Sequence, residues 1–421
     1  MRILLLNPNR YLHPPVPPIG LEYIAGELVS AGHETRLVDL CFSDNPFHEI
    51  DGSVDAFRPD IAAVTVRNID TVLYQTNEFF LDGIRSFVRH IRGTHNLRVL
   101  IGGPGVSADP EGVLAYLEAD AAVEGAGEGI VVHAAEELLR GNGQGKVYRR
   151  QYSYEIAPSR RTEGVDYQRY LDEGGIAGFQ THRGCGSSCL YCIEADTPVT
   201  YRKIPEVIEE IRLLVGRGCT RFHLCDSEFN EDPDYALEFL RALKSSGLAI
   251  DWTLYMKPAN HSRKLLRLMK ETGVSLITLT VDSWKKCPLY WTDIEKIIFS
   301  AHSSGIRLVV DFLTGFPYED EETLLFYLDF FRRLQPDQVG INIFIRLYRN
   351  LRVTQLIRKD SALKRGVLGR AEDRSLLRPV FYNSIGIGRM KELINGDPLF
   401  RLEGTDRGVN YCRRREEAAG S

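Results

Sequence analysis

No stretch of this sequence approaches the ~18 consecutive apolar residues that cross a bilayer. The first apolar run, Ile3 to Leu6 in MRILLLNPN, stops after four residues at Asn-Pro, too short for the core of a secretory signal. An excess of basic charge is also missing. The 52 Lys and Arg stand against 57 Asp and Glu, a net charge of −5, so no field draws nucleic acid or an anionic membrane. Cysteine is scarce, eight in 421 residues, too dilute for a disulfide framework. No repeat of 20–50 residues and no low-complexity tract is visible. These absences predict a cytoplasmic protein with neither nucleic acid nor membrane as partner.

What remains is an ordinary globular composition, 43% hydrophobic and 26% charged, in a chain long enough for two or three domains. Two alternating halves are legible. In residues 1–143, RILLLNPN, TRLVDL, DIAAVTV, LRVLIGG and AAVEGAGEG read as buried strands, with IGLEYIAGELVSAGH, FLDGIRSFVRHIR and VLAYLEA as helices between them. That pattern predicts a doubly wound parallel α/β sheet covered on both faces. Residues 144–174 lose periodicity and read as a linker. From 175 to 348 a second alternation predicts about six βα units, a partial β/α barrel of parallel strands. Residues 349–421 form a small C-terminal appendage.

Ligands of open α/β sheets sit beyond the carboxyl ends of the strands. This singles out the loops NPNRYLHPPVPPIG, RNID, GGPGVSADP and EGAGEG. Gly102, Gly103 and Gly105 could admit a flat or phosphate-bearing ligand, or could simply make tight turns. No Gly-x-Gly-x-x-Gly follows the first strand, which argues against an ordinary NAD domain.

The densest signal is THRGCGSSCLYC, which sets Cys185, Cys189 and Cys192 within eight positions. They follow the first strand of the second half, on the face where barrel active sites are built. Three thiolates at this spacing can hold one corner of a cubic iron–sulfur cluster and leave the fourth iron open. Zinc is the competing metal, although a structural zinc site wants four closed ligands and no second Cys-x2-Cys follows. Cys41, Cys219, Cys225, Cys287 and Cys412 read as small hydrophobes. Cys225 and Cys287 lie near the predicted site loops and are the candidate catalytic proton or hydrogen donors.

The Cys-x3-Cys-x2-Cys signature, with Tyr191 before its last cysteine, resembles the radical S-adenosylmethionine (radical SAM) superfamily. CDSEFN (225–230), TVDS (280–283) and LTGFPYEDEET (313–323) stand at strand ends where that family binds its cofactor. PPVPPIGLEYIAGELVSAGHETRLVDL, VRNID and VLIGGPGVSADPEGVLAYLEADAAVEGAGEG resemble the subfamily whose barrel follows a cobalamin-binding domain. The resemblance covers about residues 1–345. It implies a [4Fe-4S] cluster on Cys185, Cys189 and Cys192, whose open iron chelates SAM. An electron from an external flavodoxin- or ferredoxin-type reductant then yields a 5′-deoxyadenosyl radical. It further implies SAM contacts from Tyr191, Ser227, Glu228, Asp282 and Ser283, with Gly315 and Pro317 shaping the adenine pocket. Cobalamin would lie against Gly102, Gly103, Gly105 and the loop marked by Glu128. Arg67 would sit beneath cobalt, unless it pairs with Asp70 or another nearby carboxylate. Two departures stand out. No Asp-x-His-x-x-Gly supplies a lower histidine, and RLYRNLRVTQLIRKD replaces the expected turn after strand six.

Three functions follow from that resemblance. The first is a cobalamin-dependent C-methyltransferase acting on a small natural-product intermediate. The second is a cobalamin-independent radical dehydratase of an aminosugar, and the third a non-enzymatic sensor. Glu319, Asp320, Glu321 and Glu322, with Asp226 and Glu228, could favour a cationic aminosugar; the first four read equally as a helix cap. Tyr382, Tyr411 and Arg413 are candidate substrate contacts in the appendage.

Overall fold

The computed structural model describes residues 1–149, 161, 164–369 and 376–404. The N-terminal half runs β1 (Arg2–Asn7), α1 (Ile19–Ser30), β2 (Glu34–Asp39), α2 (Pro46–Phe57), β3 (Ile61–Thr65), α3 (Leu81–His95), β4 (Arg98–Gly102), α4 (Pro104–Ser107), α5 (Pro110–Leu117), β5 (Ala121–Glu124), α6 (Val131–Arg140) and β6 (Lys146–Arg149). All six strands are parallel, in the order β2-β1-β3-β4-β5-β6. The apolar run of β1 shows why both faces are covered. Successive side chains point to opposite sides, so Ile3 and Leu5 pack with α1 and α6 while Leu4 and Leu6 pack with α2, α3 and α5. The strand order reverses between β1 and β3, which opens a crevice at their C-terminal ends. β6 comes from the stretch expected to be linker; it is short, and only its pairing with β5 defines it.

After α7 (Tyr167–Asp172) the second half runs β7 (Ala177–Phe179), β8 (His182–Cys185), β9 (Thr197–Tyr201), α8 (Ile204–Gly216), β10 (Arg221–Leu224), α9 (Pro233–Ser245), β11 (Asp251–Met256), α10 (Arg263–Glu271), β12 (Val274–Asp282), α11 (Pro288–Ser303), β13 (Arg307–Leu313), α12 (Glu321–Leu334) and β14 (Gln338–Asn342). The appendage adds β15 (Ile345–Arg346), α13 (Arg352–Lys359), β16 (Val367–Leu368), β17 (Phe381–Tyr382), α14 (Ile387–Ile394) and β18 (Phe400–Leu402). The barrel sheet is parallel, in the order β7-β10-β11-β12-β13-β14-β18. Its six expected strands are therefore joined by a seventh, contributed by the appendage. The run expected as one strand over 338–348 breaks after Asn342, and β15 leaves the barrel to pair with β17.

One hydrophobic core lies between the barrel sheet and its helices. At its centre Trp252 is fully buried and donates its indole N–H to Thr272 O at 2.9 Å.

Buried charge joins the halves. Arg161 pairs with Glu22 of α1 and with Glu210 of α8, all with side chains 0–1% exposed. Asp70, after β3, pairs with Arg346 of β15 at 2.8 Å. Among the described residues no helix is long and apolar enough to cross a membrane.

Candidate active site

The three cysteines ride on a hairpin. β8 and β9 pair antiparallel, with Cys185 opposite Thr197, and residues 186–196 arch between them. Gly184 makes this possible: its φ is +85°, and a Cβ there would lie 2.2 Å from Pro198 O, so no other residue fits. Asp226, buried after β10, fixes the start of the hairpin by accepting from the Thr181 N–H at 2.8 Å and pairing with His182 Nδ1 at 3.2 Å. Inside the arch the Cys185 N–H donates to Thr197 Oγ1 at 2.9 Å and the Asp196 N–H to Ser187 O at 2.9 Å. The appendage braces it from outside, where the Val353 N–H donates to Leu190 O at 3.1 Å.

Burial pushes the Cys189 thiol up to about 11, helped by the Asp282 carboxylate. Burial likewise pushes Cys192 up to about 12. Loading a metal group here must therefore displace protons. Among the described residues the three sulfurs do not converge within 4.8 Å of one another, whereas thiolates on one zinc at about 2.3 Å would sit ~3.8 Å apart.

Below the arch lie the strand ends. Tyr191 donates its hydroxyl to Asp282 Oδ1 at 2.7 Å, and Lys285 Nζ lies 2.7 Å from Asp282 Oδ2. Cys189 Sγ is 3.9 Å from that same Oδ2. Asp282 is 1% exposed, so it braces the cysteine loop. Ser283 is fully buried against Glu319, and Ser227 donates to Glu194 Oε2 at 2.6 Å. Glu228 and Ser283 each keep a buried oxygen without a hydrogen-bond partner, and Glu228 is the one that can carry charge. In Glu228 that oxygen is Oε2, and burial pushes its carboxyl up to about 8 against the pull of Lys257 and Lys285. An orphaned carboxylate oxygen beside the cysteine loop fits an N–H of the SAM amino group.

The acidic run after β13 is taken up locally. Glu319 accepts from the Thr314 hydroxyl at 2.8 Å, from the Phe316 N–H at 2.9 Å and from the Gly315 N–H, so it closes the turn that carries Gly315 and half-buried Pro317. Asp320 caps α12 by accepting from the Thr323 N–H at 2.8 Å, and Glu321 pairs with Arg389. With exposed Glu322 these residues make the cap, and Asp226 is held by the hairpin. The aminosugar expectation loses the residues that prompted it, apart from Glu228.

On the cobalamin side a cavity of about 480 Å³ opens at the C-terminal ends of β3, β4 and β5. Thr65, Gly102, Gly103 and Ser107 form one wall, and Arg183, Ile193 and Glu194 of the cysteine hairpin form the other. A Cβ on Gly103, at φ +104°, would lie 2.8 Å from Val66 O, so glycine keeps this wall thin. Gly102 has room, with Val123 Cβ at 3.8 Å. Gly105 is buried against Val66 and does not line the cavity. Glu128, 2% exposed, accepts from Arg183 at 2.5 Å; burial would raise its carboxyl, and the Arg183 guanidinium more than offsets this.

Arg67 is half-buried and has no ion-pair partner among the described residues, because Asp70 is taken by Arg346. The alternative pairing with Asp70 is thus overturned. Its charge acts across the domain boundary on His223 and Cys225 of the barrel mouth. Burial pushes the His223 ring down to about 4 and the Cys225 thiol up to about 11, so both are neutral near pH 7. Arg67 does not line the cavity, whose thin glycine wall and open volume fit a corrinoid.

Other expected residues lie elsewhere. Cys287 is exposed at the start of α11. Tyr382 is 3% exposed within the appendage's own core. Tyr411, Cys412 and Arg413 fall outside the described residues. Sequence reasoning missed Lys285, although it stands three residues after Asp282, and Glu194, two after Cys192. It also missed a row of side chains across β13, β14 and β18. There Asp311, Gly340 and Arg401 stand in one register row, and Glu403 lies over Gly340. Burial, reinforced by the Asp311 charge despite the pull of Arg401, pushes Glu403 up to about 7.

Two family models match the chain. Residues 10–135 match the B12 binding domain, and residues 179–331 match the radical SAM superfamily. The chain is 25% identical over 434 residues to a tryptophan 2-C-methyltransferase of Streptomyces laurentii, covering 82% of this chain and 72% of that one. It is also 25% identical over 398 residues to a cytidylyl-2-hydroxyethylphosphonate methyltransferase of Streptomyces wedmorensis, covering 75% and 73%. In fold it is similar to the radical SAM methyltransferase TsrM of Kitasatospora setae, solved with tryptophan and a SAM analogue. The TM-score is 0.86 at 23% identity, over 97% of this chain and 93% of that one. The cofactors of the two matched domains are a [4Fe-4S] cluster, SAM and cobalamin. The chain thus belongs to the radical SAM superfamily, in the subfamily whose barrel follows a B12-binding domain.

Proposed function

We propose that the protein is a cobalamin-dependent radical SAM C-methyltransferase of a small molecule. The observation that carries this reading is the shared cavity, one wall from β3–β5 and the other from the cysteine hairpin. Cofactors held on either side would meet across it. Methyltransferases among the relatives support the reaction type, and no observation favours dehydration.

When bound, the cluster supplies the electron that cleaves SAM, and cobalamin supplies a methyl carrier. The chain's own residues do the rest. Cys185, Cys189 and Cys192 hold the cluster. Glu228 ionises to accept an N–H of the SAM amino group, with Ser227 alongside. Gly315 and Pro317 shape the adenine pocket through the turn that Glu319 closes. Asp282, Ser283, Tyr191 and Lys285 keep the cysteine loop in register, since small misplacements are costly when reacting atoms must be oriented. Arg67 presents a cation on the loop after β3, where a lower histidine is absent. Gly102 and Gly103 thin the cavity wall, and Glu128 ties it to Arg183. Cys225, a neutral thiol at the barrel mouth, is placed to return a hydrogen or proton. A flavodoxin- or ferredoxin-type protein serves as reductant.

The acceptor is a small molecule whose class the site residues leave open, with aminosugars one class to test. The experiment is product analysis under anaerobic turnover across a panel of amino acids, aminosugars and phosphonates. S-adenosylhomocysteine and 5′-deoxyadenosine should form together with a product heavier by one methylene. Formation of 5′-deoxyadenosine with loss of water from the substrate would establish dehydration instead.

A further inference from the structure

Far from this cavity, two helices of the B12-binding domain bring three metal-type ligands together. His90 Nε2 lies 2.6 Å from Asp51 Oδ1, and His95 Nε2 lies 2.7 Å from that same oxygen. All three donor atoms fall within 4.8 Å of one another, the one such group of three among the described residues. Asp51 comes from the middle of α2; His90 and His95 come from the last turns of α3, next to the N-terminal end of β4. That is the end of the sheet opposite the cavity, so these residues have no part in the chemistry described above.

We propose that Asp51, His90 and His95 form a divalent transition-metal site of the zinc class, clamping α2 to α3. The donor set decides the class. Two imidazoles and one carboxylate are the ligands of zinc and its first-row neighbours, whereas calcium and magnesium want oxygen alone. Both imidazoles turn Nε2, not Nδ1, to the same point. The ring of His90 is held for this by Phe47, edge-on at 5.0 Å, and by Thr94, whose hydroxyl lies 3.4 Å from Nδ1. Such a contact to the second ring nitrogen sets the tautomer of a ligating histidine. Ligands at about 2.0–2.1 Å from zinc stand roughly 3.3 Å apart, so small side-chain rotations make room for the ion. The side chains are 11–38% exposed, which leaves an entry path and open positions for water.

The test uses the full chain with its cluster reconstituted and compares wild type with the double variant His90→Asn, His95→Asn. Each is dialysed against limiting zinc chloride with a weak chelator, and zinc and iron are then counted. Wild type should retain one zinc more than the variant at equal iron, and added zinc should raise the Tm of wild type alone, as binding to the folded state requires. Equal iron shows that the variant is folded and that the cluster thiolates are not the source of the difference. Equal zinc in the two proteins, with no difference in Tm shift, would overturn the proposal. If the double variant fails to load iron, Asp51→Asn takes its place with the same two readings.

Discussion

The Tyr191 hydroxyl donates to Asp282 Oδ1 at 2.7 Å, so the residue before the last cysteine is bonded to the end of β12. Removing that hydroxyl leaves one oxygen of a 1%-exposed carboxylate without its donor. Tyr191→Phe should cost about 1.5–3 kcal/mol, the range for a hydrogen bond to a charged group. Lys285→Met should cost more, about 3–5 kcal/mol, because it leaves the buried charge unpaired. Denaturant unfolding of the two variants checks both values. Equal stability of all three proteins would remove Asp282 as the brace.

Glu228 sets a pH dependence on SAM binding. Its carboxyl, raised by burial to about 8, is mostly protonated at pH 7 in the SAM-free protein. Accepting an N–H of the SAM amino group requires the ionised form, so binding releases the Glu228 proton at any pH below that value. Affinity for SAM should therefore rise from pH 6 to pH 8 and level off above. Glu228→Gln should bind more weakly above pH 8 and lose the slope. Equilibrium dialysis at several pH values measures it; an unchanged slope in the variant would remove Glu228 from the SAM amino-group site.

The joint between the halves rests on Arg161. Arg161→Met would leave Glu22 buried without its cation while Glu210 keeps Arg202 at 2.7 Å, a change of about 3–5 kcal/mol by the usual cost of breaking a buried pair. Burial already raises the Glu22 carboxyl, and without Arg161 it would rise further. Protonation then relieves the variant as pH falls, so its deficit relative to wild type should grow with pH. Thermal unfolding at pH 5.5 and pH 8 distinguishes this from a simple packing loss, which would be the same at both.

The cysteines give the plainest test of the cluster. Replacing Cys185, Cys189 and Cys192 together by Ala should abolish iron retention after anaerobic reconstitution and all SAM cleavage. Replacing Cys287, exposed on α11, should leave both unchanged. SAM cleavage by the triple variant would place the cluster elsewhere.

Much of this arrangement was legible in the chain because it is local. The buried run Ile3–Leu6, the alternation that follows it and the cysteine spacing each declare a strand or a ligand loop within a few residues. What was missed depends on distant partners. β18, three residues long, becomes a barrel strand only by pairing with β14. β6 needs β5 in the same way. Asp70 stands three residues from Arg67 in sequence, yet its partner is Arg346, 276 residues away. The acidic run 319–322 offered two readings, and only the Thr314, Gly315, Phe316 and Thr323 donors decide for the cap. Glu403 carries no motif at all; its setting is made by Gly340 and Asp311 from other strands.

The most direct test of the central claim is turnover with and without corrinoid. Protein expressed with cobalamin supply should purify with a bound corrinoid spectrum, and with its acceptor should form S-adenosylhomocysteine and 5′-deoxyadenosine together. Protein prepared without corrinoid should form no methylated product until cobalamin is added. Full turnover of the acceptor by corrinoid-free enzyme would contradict the account.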